Sequence, residues 1–352
     1  MTPRSSVTHV SRVLSLVLAL ALLGGCFSFH KGPLPGEPSK ATFAKIEGAR
    51  IRYVDTEKDE TEHKKPPVVL VHGFASSLDV WATVVPTLKT THRVVALDLK
   101  GFGWSDRPEG DYSPTAEARI VLGLMTQLGI AKAAVVGHSW GTSVTLATAL
   151  LAPERVERIA LYGAWVYEEQ QPLFFQWSRA PGVGETLFAL YYNQRVEDRL
   201  PLAFYDKSFV SERLIEVAYS HLDKPGTTAA HLAAVRGQRY SEVEDRYKTL
   251  HQKTLLLYGR EDGITLPKYG ERLLRELSSS RMIEYPRCGH FPMLEAATAS
   301  TRDLHAFLLE DGPEAETNAK IDPGASTPST LSTPSPSSTP NAPNAPKDEK
   351  AP

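Results

Sequence analysis

Five short, almost wholly apolar runs recur along the chain: Val68–Val71, Arg93–Leu97, Ala133–Val136, Ile159–Tyr162 and Thr254–Tyr258. Each is too short for a helix of ordinary length, and amphipathic stretches such as Thr115–Leu128 and Trp140–Leu151 lie between several of them. Continuous apolar strands alternating with helices bury both faces of a parallel sheet. The expected fold class is therefore α/β, a mostly parallel central sheet with helices on both faces. Thr42–Ile46 and Arg50–Asp55 flank Glu47-Gly48-Ala49, the signal of a hairpin at its start. In such sheets ligands bind beyond the carboxyl ends of the strands, so chemistry is sought in the loops that follow them.

The alternation breaks over residues 164–250, which read as helices and loops and carry 14 of the 30 aromatic residues. That density, highest at Trp165, Phe174, Phe175, Trp177, Phe188, Tyr191 and Tyr192, predicts a helical cap inserted before the last strands. Most of the rings should form its core. Trp165 and the Phe174–Trp177 cluster are expected to face a pocket below. The core then divides into residues 41–163 and 251–310. Residues 311–352 hold nine of the 26 prolines and no aromatic, a composition that cannot bury enough apolar area to order itself, and read as a disordered tail.

At the other end, Arg4 and Arg12 precede the uninterrupted run Val13–Leu23, which fits the apolar region of a signal peptide over residues 1–25 and is too short to span a bilayer. Leu23-Gly24-Gly25-Cys26 resembles the bacterial lipobox, which implies lipid on the Cys26 thiol and cleavage just before it. An ordinary signal peptide with a chance cysteine, or an uncleaved anchor, are the alternatives. Pro33, Pro35 and Pro38 make residues 26–40 a lipid-anchored spacer on this reading. The mature protein would sit in the cell envelope outside the cytoplasmic membrane. Phe27, in place of the Asp that holds lipoproteins at the inner membrane, favours the outer one. A net charge of −2 gives no basic field for nucleic acid, and two cysteines, Cys26 and Cys288, are too few for a disulfide scaffold.

Gly137-His138-Ser139-Trp140-Gly141 lies between strand Ala133–Val136 and helix Trp140–Leu151. The G-x-S-x-G pattern alone is weak; its place on a strand-to-helix turn makes Ser139 a candidate nucleophile. A serine hydroxyl needs a base, and the base an orienting acid. His290 follows apolar run Met282–Tyr285, and Asp262 follows strand Thr254–Tyr258, so both fall at the same sheet edge. Glu261 is the rival acid. His138, adjacent on a sharp turn, diverges from Ser139 and should be structural, as should His72. Backbone N–H groups of Phe74, in the loop after Val68–Val71, and of Trp140 are the expected oxyanion donors. No metal-ligand cluster or dinucleotide fingerprint occurs, so no cofactor is expected.

Together, His72-Gly73-Phe74, the stretch Asp98–Asp106, the Ser139 turn, Gly259–Asp262 and Gly289-His290-Phe291-Pro292 with Glu295 resemble the α/β-hydrolase fold family. The resemblance is to its capped branch of carbon–carbon bond hydrolases, esterases, epoxide hydrolases and haloalkane dehalogenases. Epoxide hydrolases and dehalogenases of that branch carry Asp where this chain has Ser139. The resemblance therefore implies a serine hydrolase acting on a small or medium apolar ester, thioester or lactone. A carbon–carbon (dione) hydrolase with the same triad is the first alternative, and a non-catalytic ligand-binding protein the second.

Overall fold

The computed structural model describes residues 27–59, 65–310 and 319–321. Its sheet is built from β1 (Thr42–Ile46), β2 (Ala49–Asp55), β3 (Lys65–Val71), β4 (His92–Leu97), β5 (Ala133–His138), β6 (Val156–Tyr162), β7 (Lys253–Gly259), β8 (Ser280–Tyr285) and the three-residue β9 (Ala319–Ile321). The spatial order is β1-β2-β4-β3-β5-β6-β7-β8-β9. β1 pairs antiparallel with β2, and β2 antiparallel with β4. Every other pairing, from β4 to β9, is parallel. The β1–β2 link is a two-residue turn in which Glu47 (φ 46°) and Gly48 (φ 80°) are both left-handed, the geometry that matches strand twist. Pro66 and Pro67 lack N–H groups for the ladder, and the β3–β4 register shifts between Lys65 and Val68.

The period of two along each strand divides the core into two layers. Val69 and Val71 of β3 pack with Ile120 and Leu124 of helix α1 (Pro114–Gln127) and Val144 and Leu146 of α2 (Trp140–Leu151). Val68 and Leu70 face the opposite side, with Leu304, Phe307 and Leu308 of a later helix, Ala297–Leu309. The strands run up to three residues beyond their apolar runs, since polar ends such as Arg158 and Lys253 still pair in the sheet.

The segment between β6 and β7 is helical, as its composition predicts. It includes α3 (Leu173–Ser178), α4 (Glu212–Leu222) and α5 (Thr227–Gly237), with short turns between them. Two expectations about the chain ends change. Residues 27–40 lie on the domain and are not a free spacer. His30 and Arg107 exchange two backbone hydrogen bonds of 2.8 Å, the Gly32 N–H donates to Asp106 Oδ1 at 3.0 Å, Glu37 pairs with Arg50 at 2.8 Å, and Leu34 is buried. Of the tail, Ala319–Ile321 pairs with β8, while residues 311–318 and 322–352 lie outside the described residues. So do the signal-peptide residues and Cys26.

One core group carries a pH signature. Glu117 on α1 is fully buried, and its Oε2 accepts the Lys100 N–H at 3.0 Å. Burial raises its carboxyl from 4.5 to about 8, only partly offset by the Lys100 ammonium. The unfolded chain releases this proton near 4.5, while the folded chain holds it to about 8, so stability falls as pH rises through that interval. Glu117→Gln keeps the acceptor without the charge. Urea titrations should find the variant more stable than the wild type, by an excess growing up to about 1.4 kcal/mol per pH unit within that interval and constant outside it.

Candidate active site

The turn between β5 and α2 holds Ser139 at φ 52°, ψ −125°, a conformation that costs a non-glycine residue roughly 1–3 kcal/mol. Its backbone N–H is tied to the Tyr162 carbonyl at 2.9 Å. The flanking glycines are required by close approach. A Cβ at Gly137 would stand 2.5 Å from Thr145 Oγ1, and one at Gly141 would stand 2.3 Å from the His72 carbonyl oxygen. The chain therefore passes α2 tightly against the loop after β3, which carries Phe74. Neither the Phe74 nor the Trp140 N–H donates to a backbone or side-chain acceptor among the described residues. Trp140 also begins α2, where the helix dipole favours negative charge.

Asp262 and His290 meet behind this turn. His290 Nδ1 lies 2.9 Å from Asp262 Oδ2, with both side chains buried. Nδ1–H donates to the carboxylate in the neutral ring, which leaves Nε2 as the proton acceptor. Asp262 also accepts from the Ile264 N–H (2.8 Å), the Thr265 N–H (2.9 Å) and the Thr265 hydroxyl (2.6 Å). Burial by itself would raise this carboxyl, but the charge and hydrogen bond of His290 and the Thr265 bonds hold it down to about 2. The site thus keeps a fixed anion beside the imidazole at neutral pH. The rival acid points elsewhere: Glu261 Oε2 accepts the Cys288 N–H at 3.0 Å.

His138 is not a second base. Its Nε2 lies 2.9 Å from the His290 carbonyl oxygen, and its ring packs 4.7 Å from the His290 ring, centroid to centroid. Burial, reinforced by the neighbouring His290, pushes it down to about 3, so it stays neutral. His72 accepts the Leu99 N–H on Nε2 at 3.0 Å and its Nδ1 lies 2.7 Å from the Gly73 carbonyl oxygen, which joins two loops of the site rim. Asp98 supports the same rim by accepting the Leu78 and Trp104 N–H groups at 2.7 and 2.8 Å.

Two residues matter here in ways that sequence reasoning did not assign. Thr265 braces Asp262, as above. Glu295 holds the His290 loop to the cap: Oε1 accepts the Gly289 N–H at 2.9 Å, and Oε2 the Tyr205 and Asp206 N–H groups at 2.7 and 3.1 Å. The only signal for Thr265 was a polar side chain three residues from Asp262, whereas Glu295 stood among the residues of the family resemblance with no role attached.

Ser139, Trp140, Phe74 and His290 line one cavity of about 590 Å³ beneath the cap. Trp165 and Phe175 face it, as expected, whereas Phe174 packs 5.5 Å from Phe188 inside the cap and Trp177 points outward, 60% exposed. The walls are largely apolar. Arg199 is the only Lys or Arg among the described lining residues, is itself exposed, and donates to the Tyr192 carbonyl. No group of three or more His, Cys, Asp or Glu side chains among the described residues is placed to hold a metal ion.

A strained serine at a strand-to-helix turn, lining one cavity under a helical cap with the histidine of a buried His–Asp pair, is an arrangement suited to hydrolysis through a nucleophile. The sequence profile of the alpha/beta hydrolase fold matches residues 66–297, and the chain belongs to that family and is a hydrolase. It is 30% identical over 257 residues to 2-hydroxy-6-oxo-2,4-heptadienoate hydrolase of Pseudomonas putida, covering 70% of this chain and 90% of that one. The crystal structure of a meta-cleavage product hydrolase from Pseudomonas fluorescens superposes with a TM-score of 0.63 at 28% identity, over 76% of this chain and 96% of the other. An enol-lactonase from Burkholderia xenovorans shares the fold, with a TM-score of 0.64 at 23% identity over 76% of this chain and 100% of its own.

Proposed function

We propose that the chain hydrolyses a small or medium apolar ester, thioester or lactone through an acyl-enzyme on Ser139. His290 Nε2 takes the Ser139 proton as Oγ attacks the carbonyl carbon, and Asp262 stabilises the resulting imidazolium. Phe74 and Trp140 N–H groups receive the oxyanion. His290 then protonates the leaving group, and water repeats the sequence to release the acid. The buried 2.9 Å contact between His290 and Asp262 carries this reading. No cofactor enters it.

The relatives' names favour a second reading, hydrolysis of a carbon–carbon bond in a dienoate. Such substrates carry a carboxylate, and among the described residues the cavity offers it one lysine or arginine, Arg199, at an exposed position. The apolar walls suit a neutral acyl group better. A panel of para-nitrophenyl esters of graded chain length, run beside a 2-hydroxy-6-oxo-dienoate, separates the two: kcat/KM should be higher for the esters. The reverse order would transfer the assignment to carbon–carbon cleavage. Within that panel, Phe175→Ala enlarges the cavity wall and should move the preferred acyl chain longer by two or more carbons, while fluorophosphonate labelling of Ser139 persists.

We further propose lipid attachment at Cys26 and a location at the outer side of the cytoplasmic membrane, with the outer membrane as the final site. Metabolic labelling with a clickable fatty acid tests this; labelling should disappear in Cys26→Ser.

A further inference from the structure

The position of residue 27 bears on what covers the cap. Phe27 packs into the cap's own apolar cluster, which contains Phe174, Phe175, Phe188 and Tyr192. Behind it the chain is pinned by the His30–Arg107 bridge and by Phe29 stacked on Tyr112 at 6.3 Å. Cys26 follows from Phe27 by one peptide link, and successive Cα atoms are only about 3.8 Å apart. The Cys26 thiol, the attachment point under the lipidation reading, is therefore joined to the protein at the cap, one peptide link from Phe27.

The same stretch of cap exposes apolar side chains outward. Leu173 and Trp177, one turn apart on α3, are 61% and 60% exposed, and Leu190 and Tyr191 are 53% and 59% exposed. Their neighbours Phe174, Phe188 and Tyr192 point inward to the cluster that holds Phe27. Charges around the patch are matched in pairs, Arg179 with Glu168, Arg236 with Glu185 and Arg195 with Asp198. Trp, Tyr and Leu without a net charge suit insertion at a lipid–water interface more than electrostatic docking. The patch also borders the cavity, because Pro172 and Tyr192, the residues just before Leu173 and just after Tyr191, both line it.

We infer that the outer face of the cap, Leu173, Trp177, Leu190 and Tyr191, lies on the lipid surface that the N-terminal segment enters, so that the cavity over Ser139 receives amphipathic acyl substrates from the bilayer. This rests on the membrane-attachment reading above and on the hydrolase reading for the substrate class.

The test reconstitutes the full-length protein into phosphatidylcholine vesicles with brominated acyl chains. Trp177 is a selective probe: Trp81, Trp140 and Trp165 are buried, and Trp104 is half-buried under the Lys224 ammonium. In the vesicle-bound fraction the emission lost to bromine should equal the emission that Trp177→Phe removes. Failure of the chain to float with vesicles overturns attachment, and docking with it. Flotation with Trp177 unquenched overturns docking alone. The double change Leu173→Asp with Leu190→Asp should leave turnover of a water-soluble acetyl ester within about twofold of wild type, yet reduce turnover of an ester dissolved in the vesicles by about tenfold or more. Equal loss on both substrates overturns the inference. So does a dimer, seen in sedimentation of the full-length protein in detergent, that Leu190→Asp dissociates, since the face then belongs to a second copy.

Discussion

Ser139→Ala should abolish fluorophosphonate labelling and lower ester turnover by roughly four to six orders of magnitude, with the fold retained. The size follows from the site's geometry. In the proposed mechanism the hydroxyl, carried on a backbone held at φ 52°, is the attacking group, and the Phe74 and Trp140 N–H groups and the buried His290–Asp262 pair act only through it. Alanine accepts the same backbone and removes one oxygen, so circular dichroism and thermal midpoint should stay close to wild type. Relief of strain is not expected, because the Cβ stays. Labelling that survives, or maps by peptide mass to another serine, would refute the nucleophile.

His290→Ala should be nearly as damaging, since serine and histidine act as one unit. Asp262→Asn should cost about three to four orders of magnitude in kcat. The amide cannot balance the imidazolium, and it would face two backbone N–H groups and a hydroxyl that now converge on an anion. Its stability effect has a defined sign. The folded carboxyl ionises near 2 against an ordinary value of 3.8, so its stabilisation is present above 3.8 and lost as pH falls towards 2. Wild type and Asp262→Asn should therefore converge in stability at the acid end of that range. Glu261→Gln should retain most activity, because Glu261 holds the Cys288 N–H and not the histidine. A damaging Glu261→Gln beside a tolerated Asp262→Asn would reverse the choice of acid.

What could be read before the structure follows physical range. Strand cores such as Ala133–Val136 and Thr254–Tyr258 announce themselves by local apolarity, and the Ser139 turn by two glycines whose Cβ atoms would collide with backbone and side-chain atoms. Chain order then brings Asp262 and His290 to the same sheet edge. Contacts made across long stretches of chain leave no local mark. Residues 27–40 look like a tether by composition, yet His30 meets Arg107 and Glu37 meets Arg50. Thr265 and Glu295 serve through hydrogen bonds whose partners nothing in the sequence names. Trp177 reads like Phe174 and Phe175 because a six-residue helix of mostly apolar residues has no polar face to set its rotation.

The Glu295 carboxylate has a consequence for anyone wishing to redesign this protein. It grips Gly289, next to the proposed base, with one oxygen and the Tyr205–Asp206 backbone with the other, and the His290 N–H itself donates to the Ala203 carbonyl at 2.7 Å. The cap and the imidazole are thus one mechanical part. Exchanging caps between relatives, a natural route to new specificity, would succeed only if the Ala203–Asp206 turn travelled with its own Gly289–Glu295 loop. A graft that changed the roof alone would leave the histidine wrongly aimed, and the loss would be mistaken for a poor substrate.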